Sequence, residues 1–373
     1  LLRPRRSISK LTPVVHGGTH YIRSDDLEIP PKGIIDFSVN HNPYGPAPEV
    51  LAVLRSGSID SYPDPETKEL RNCLSKKLGV RSDNLIVGNG STELIRLIAI
   101  AYFDQNDRVL IPQPTYGEYE AACQMMGAKV IRQPVLKEDE CFKLDIEKLI
   151  FLIRKFKPKG VFLCNPNNPT GQCVTCNDIA RLLLAFPGCL FIVDEAYITF
   201  TESEDDFSSL SLIHHNNLVI LRSMTKDYAL AGLRLGYAVA ALPIIDILKK
   251  ICPPWNVNTM AQLAGMVALR SQNYIEECKS RIRMTKGFLM TQLNYIGLAV
   301  IPSQANFFLV KVGDAKGFYW SLLGKGFLVR DCTSFGLSEY IRIAPRALHE
   351  CKRLVAAMKE VLDESTTASW KYY

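Results

Sequence analysis

Residues 222–237 read Arg-Ser-Met-Thr-Lys-Asp-Tyr-Ala-Leu-Ala-Gly-Leu-Arg-Leu-Gly-Tyr, so Lys226 stands three places after Ser223, eight before Arg234, and just beyond the apolar run 218–221. A lysine that bonds an aldehyde must be held rigidly and partly desolvated, so that a fraction of it is neutral and nucleophilic. Ser223, Thr225 and Arg234 surround it with hydroxyls and a guanidinium, which can neutralise a dianionic phosphate through charge-assisted hydrogen bonds. Alone, Ser-x-x-Lys is as readily a surface turn. The rest of the chain gives it weight.

Working outward, short apolar runs at 85–87, 108–111, 129–132, 160–164, 189–193, 218–221 and 235–240 alternate with helix-patterned stretches such as 92–102. Strands buried on both faces and separated by helices predict an α/β fold: a seven-stranded, mainly parallel sheet with helices on both faces. Its site belongs at the loops leaving the strand ends. After Pro253-Pro254 the pattern changes to long helices, 259–271 and 274–293, then strand-like 307–312 and 340–343 and a closing helix over 349–362. The expected organisation is an arm over 1–47 packed on the small domain, a large domain over 48–254, and a smaller α+β domain over 255–373.

Several strand ends carry polar residues suited to one ligand. Asp194-Glu-Ala-Tyr197 follows a buried run, and a carboxylate there can pair with a protonated pyridine nitrogen, although aspartate at such a place is also a common helix cap. Tyr197 and Asn168, the latter in Asn165-Pro-Asn-Asn-Pro-Thr-Gly171, can both reach a phenolic ring oxygen. Gly88-Asn-Gly-Ser-Thr-Glu93 joins a strand to a helix, so the free amides of Gly90, Ser91 and Thr92 form an anion site. Tyr116, in Pro114-Thr-Tyr-Gly117, can stack on a flat ring. An aldehyde, a phosphate, a pyridine nitrogen and a phenolic oxygen together describe pyridoxal 5'-phosphate.

On these motifs the chain resembles, over essentially its whole length, the fold-type-I pyridoxal-phosphate enzymes of the aspartate aminotransferase superfamily. The resemblance implies that Lys226 bonds the cofactor, Asp194 pairs with the ring nitrogen, and Asn168 and Tyr197 meet the ring oxygen. It puts Gly90, Ser91, Thr92, Ser223 and Arg234 at the phosphate and Tyr116 over the ring. Tyr62, in Ser-Tyr-Pro-Asp, is similar to the tyrosine lent to a neighbouring subunit's cofactor, which implies a homodimer with shared active sites.

Within the superfamily, Asn40-His-Asn-Pro-Tyr-Gly45, Tyr62-Pro-Asp and Pro-Thr-Tyr-Gly resemble the branch that holds histidinol-phosphate aminotransferase and threonine-phosphate decarboxylase. His16-Gly-Gly18, Arg330-Asp-Cys332 and Ile341-Arg-Ile-Ala-Pro-Arg346 are similar to the decarboxylase signature, whereas His41 and Tyr44 depart from it. The bond on the substrate α-carbon that stands perpendicular to the cofactor ring is the one weakened, so the residues that orient the substrate select the reaction. The resemblance places the substrate carboxylate on Arg342, with Arg330 and Arg346 as cations for a substrate phosphate and His16 and Asn40 beside it. The expected activity is decarboxylation of O-phospho-L-threonine or O-phospho-L-serine to an amino-alcohol phosphate for the cobalamin nucleotide loop. The alternative is a histidinol-phosphate aminotransferase. One methyl separates the two phosphorylated substrates, a difference of only about 1–3 kcal/mol in a pocket.

The chain has 373 residues, 47% hydrophobic and 22% charged, with a net charge of +6 that suits a small phosphorylated substrate. Arg3, Arg5, Arg6 and Lys10 form a solvated basic arm without interleaved aromatics, so no nucleic-acid partner is expected. No apolar run reaches membrane-spanning length and no signal peptide is evident, which leads to the expectation of a cytoplasmic enzyme. Cys173-x-x-Cys176 has no second pair and no zinc spacing to His214 or His215, so no metal is expected. A ligand sensor in a transcription regulator would need a winged helix-turn-helix ahead of residue 1, for which the roughly 35-residue arm is expected to leave no room.

Overall fold

The computed structural model describes residues 2–9, 11–19, 33–134 and 136–369; Leu1, Lys10 and residues 20–32 of the expected arm lie outside the described residues. Fifteen strands follow one another in these residues. They are β1 (Ile35–Asp36), β2 (Leu85–Asn89), β3 (Arg108–Gln113), β4 (Lys129–Pro134), β5 (Leu136–Lys137), β6 (Lys143–Leu144), β7 (Gly160–Cys164), β8 (Leu190–Asp194), β9 (Leu218–Ser223), β10 (Leu235–Ala240), β11 (Ala299–Val300), β12 (Phe308–Lys311), β13 (Phe327–Leu328), β14 (Arg330–Asp331) and β15 (Tyr340–Ile343).

The seven expected strands form one sheet in the order β2-β10-β9-β8-β7-β3-β4. Neighbours from β9 to β4 are parallel, and β10 runs antiparallel to both β9 and β2. The α/β class predicted from the sequence is therefore the observed one. Its strands are apolar on both faces because both are covered. Phe191, Val193, Leu218, Ile220, Tyr237 and Val239 face one core, while Leu190, Ile192, Val219, Leu221, Ala238 and Ala240 face the other. Helices Lys68–Leu78, Ile146–Phe156 and Cys176–Ala185 bury leucines and isoleucines in the first core. Asp145 and Thr175 start two of them by accepting backbone N–H bonds from Lys148 and Asp178 at 2.9 and 3.1 Å. Helices Gly90–Tyr102, Glu118–Met125 and Leu242–Ile251 cover the other face.

A second sheet, β11-β12-β15-β14, packs with helices Gln272–Tyr295, Ala315–Gly324 and Leu348–Ser369 around a separate core. Gln272–Tyr295 reaches from one core to the other, since Ile275 lies in the large-sheet core and Leu289 and Leu293 in the small one. Helix Thr259–Arg270, expected in the small domain, instead packs through Ala261, Ala264 and Ala268 with the large-sheet core. Those alanines let it lie close to helices Pro48–Ser56 and Lys68–Leu78.

The arm divides as well. β1 pairs parallel with β13, and Phe37 enters the small core. Residues 5–7 instead dock on the large domain, where Arg5 and Ser7 donate to Met125 O at 3.2 and 3.1 Å. Among the described residues no helix is long and apolar enough to cross a membrane.

Candidate active site

The parallel strands β3, β7, β8 and β9 all end at one edge, and β2 ends there too. Antiparallel β10 begins at that edge, which brings Arg234 to the loops following the other strands. A cavity of about 1210 Å³ opens there between the large sheet and the small domain. His16, Asn40, Ser91, Thr92, Tyr116, Asn168, Asp194, Tyr197, Ser223, Lys226, Arg234, Arg330 and Arg342 all line it.

The phosphate-type corner is built from backbone. Helix Gly90–Tyr102 offers its first amides, and Asn89 N donates to Glu93 Oε2 at 2.7 Å, closing the helix start. Gly90 has φ +76°, and a Cβ there would stand 2.7 Å from Arg234 Nη2. A Cβ on Gly236 would lie 2.6 Å from Ser91 N. Only residues without side chains permit this approach. The Ser223 and Thr225 hydroxyls, 2.7 Å apart, and the Arg234 guanidinium complete a donor set suited to a phosphate.

Asp194 is fully enclosed at the end of β8. Its Oδ2 accepts from Tyr119 Oη at 2.7 Å and its Oδ1 from Ala196 N at 3.1 Å. Burial pushes its pKa up to about 6, against the lowering effects of Tyr119, the Ala196 amide and the Lys226 charge. Such a carboxyl is poised to accept a cationic ring nitrogen. The supporting Tyr119 escaped the sequence reading; its signal was its place three residues after Tyr116 in a segment that turns helical at Glu118. Burial also raises the Tyr116 and Tyr119 hydroxyls well above the usual range.

Lys226 Nζ lies 5.7 Å from the centroid of the Tyr197 ring. Its carbonyl accepts from Asn42 N at 2.8 Å, while Asn42 Nδ2 donates to Asp227 O at 3.1 Å, so a segment far upstream pins the lysine loop. The phenolic oxygen of Tyr197 accepts from Asn40 Nδ2 at 3.3 Å.

Arg330 and Arg342 sit opposite one another on β14 and β15. Arg342 donates to Asn168 Oδ1 and, at 2.8 Å, to Ser38 O, while its buried Nε has no partner among the described residues. Burial lowers its pKa, which marks a guanidinium short of counter-charge. Arg330 donates to Val15 O and Ser334 Oγ, both at 2.8 Å. His16 Nε2 stands 3.1 Å from Glu118 Oε1.

Two expected positions are not brought to the cavity. Arg346 turns away, donating to Glu350 Oε1 at 3.0 Å and Asp36 O at 3.2 Å, so it stiffens the small domain rather than facing a substrate phosphate. Tyr62 is 80% exposed and stacks on Trp255, with ring centroids 4.6 Å apart. Gly90 contributes backbone only.

Known proteins carry the same architecture. A histidinol-phosphate aminotransferase of Moorella thermoacetica is 34% identical over 96% of this chain and 92% of its own length. The same name recurs among further relatives at 32–36% identity. The crystal structure of histidinol-phosphate aminotransferase from Sinorhizobium meliloti, in complex with pyridoxal-5'-phosphate, superposes with a TM-score of 0.89, 25% identity and 98% coverage of both chains. L-threonine-O-3-phosphate decarboxylase from Porphyromonas gingivalis superposes less closely, with a TM-score of 0.77, 28% identity, and coverage of 88% of this chain and 100% of its own.

These findings overturn the expected decarboxylase and its cobalamin role in favour of the aminotransferase alternative. Of the residues that argued for a decarboxylase, Arg346 points out of the cavity, while His16 and Arg330 line it. The cofactor expectation stands: the enzyme uses pyridoxal 5'-phosphate. Residues 32–360 match the family model "Aminotransferase class I and II", and the chain belongs to that family of pyridoxal-phosphate enzymes.

Proposed function

We propose that the protein is a histidinol-phosphate aminotransferase, moving the amino group of a phosphorylated amino alcohol to a 2-oxo acid. The supporting observation is the recurrence of that activity among relatives aligned over most of the chain, joined to a cavity whose deep anion site is Arg342, whose Nε has no partner among the described residues. Arg342 is the common anchor in this reading, holding the phosphate of one substrate and the α-carboxylate of the other, with Arg330 across the strand pair as second cation.

Bound here, the cofactor supplies an aldehyde that condenses with amines and a ring that accepts the electrons of a broken α-carbon bond. Lys226 would hold the cofactor aldehyde, and its Nζ, once free, would be the base for the proton on the substrate α-carbon. Asp194 would pair with the protonated ring nitrogen, and Tyr119 keeps that carboxylate oriented. Tyr197 and Asn168 would meet the ring oxygen. Ser91, Thr92, Ser223, Thr225 and Arg234 would hold the cofactor phosphate, and Tyr116 would cover the ring. Tyr62 completes the neighbouring site in a homodimer.

The test offers the purified enzyme, loaded with pyridoxal phosphate, histidinol phosphate with 2-oxoglutarate and, separately, threonine phosphate. Glutamate formation from histidinol phosphate without carbon dioxide release is expected. Carbon dioxide from threonine phosphate with no amino transfer from histidinol phosphate would sink the reading.

A further inference from the structure

Glu118 opens helix Glu118–Met125, lies almost wholly buried on the cavity wall, and has no part in the cofactor site described above. One carboxylate oxygen stands 3.1 Å from the imidazole Nε2 of His16, and the other lies 3.7 Å from Arg96 Nη2. The His16 contact and then the nearby Arg96 charge hold the carboxyl below its usual range against the opposing effect of burial, so Glu118 is ionised near neutrality. The ring of His16 also rests near Tyr116, with centroids 6.1 Å apart at an interplanar angle of 54°. The cavity thus already contains an imidazole docked on a buried carboxylate and flanked by an aromatic ring. That imidazole arrives on an arm segment 102 residues away in sequence, whose neighbouring carbonyls are held by Arg330.

We infer that Glu118 is the specificity-determining residue that receives the imidazole of the amino-alcohol substrate, and that the His16 ring occupies this subsite until the substrate replaces it. The inference rests on the proposed histidinol-phosphate reading. A buried carboxylate oxygen discriminates for an N–H donor, because a side chain lacking one leaves Glu118 Oε1 without the partner that His16 supplies, while Arg96 lies beside the other oxygen. The substrate is then held at two ends, its phosphate at Arg342 and its ring at Glu118. The arm carbonyls on Arg330 and the His16 ring on Glu118 can withdraw together, since both contacts come from residues 15 and 16.

The experiment compares kcat/KM for histidinol phosphate with kcat/KM for glutamate in wild type, Glu118→Gln, Glu118→Asp and His16→Ala, all loaded with pyridoxal phosphate. Glu118→Gln is expected to lower the ratio of the two constants by about tenfold or more, mainly through KM for histidinol phosphate. Glu118→Asp, which keeps the charge one methylene back, is expected to recover part of the loss. It also serves if the glutamine variant fails to bind cofactor, as judged by the absorbance of the lysine-bound form. His16→Ala is expected to lower KM for histidinol phosphate by removing the competing ring. An unchanged ratio in both Glu118 variants overturns the assignment, as does a His16→Ala enzyme that loses histidinol phosphate selectively. If the wild-type enzyme moves no amino group from histidinol phosphate, the functional reading and this inference fail together. If it does so and the ratio stays put, only Glu118 is wrongly assigned.

Discussion

Burial, opposed by the hydroxyl of Tyr119 and the amide of Ala196, leaves the carboxyl of Asp194 raised from 3.8 to about 6. In the cofactor-free protein the folded state therefore binds this proton more tightly than the unfolded chain. The stabilising contribution of Asp194 is fully present below about pH 4 and is lost as pH rises through about 6. Tyr119→Phe removes a donor to the ionised form, so the Asp194 pKa rises further and less carboxylate is available near neutrality. The acidic limb of the activity profile is expected to move to higher pH and cofactor affinity to fall about tenfold, read by absorbance titration. A limb that stays in place would show that Tyr119 does not tune Asp194. Lys226→Ala is expected to abolish the near-visible absorbance of the lysine-bound cofactor, and retention of that band would place the cofactor lysine elsewhere.

At the scale of elements, the phosphate corner exists because β10 runs against its neighbours and starts beside the first turn of helix Gly90–Tyr102. Gly236 is the contact point, and a methyl there meets the backbone of Ser91 and Gly90, which cannot swing aside. Gly236→Ala is expected to cost about 1–3 kcal/mol in denaturant unfolding and to weaken cofactor binding. Unfolding indistinguishable from wild type would mean that the strand and helix can part without penalty. The strands themselves were legible in the sequence, because runs such as Leu218–Leu221 are apolar without alternation, as burial on both faces demands. The loop motifs were legible for a related reason: Asn165 to Gly171 and Gly88 to Glu93 shape their turns through local chemistry. The reversal of β10 was not, since an apolar strand reads alike in either direction.

For the molecule as a whole, Tyr62 stands exposed on Trp255 and is not among the residues that line the cavity in its own chain. If a twofold partner brings it to the neighbouring site, each active site draws on both chains. Tyr62→Ala and Lys226→Ala enzymes, each deficient alone, are then expected to regain activity when unfolded together and refolded as mixed dimers, because one site per mixed dimer has both residues. No recovery, with mixed dimers demonstrated by differential tagging, would place Tyr62 outside the site.

The sequence by itself determined the layered α/β architecture, the cofactor and the residues at five strand ends, because periodicity, turn chemistry and strand-end motifs act over a few neighbouring residues. Tertiary structure alone decided which chemically similar groups converge. Arg342 lies in the cavity and Arg346, four residues on, is held by Glu350; Tyr119 supports Asp194 across 75 residues; helix Thr259–Arg270 joins the large core; and His16 crosses the chain to Glu118. These are packing outcomes. An arginine in a small-domain strand carries the same charge wherever it points, and its direction is set by the register of β14 on β15 and the depth of the core beneath them.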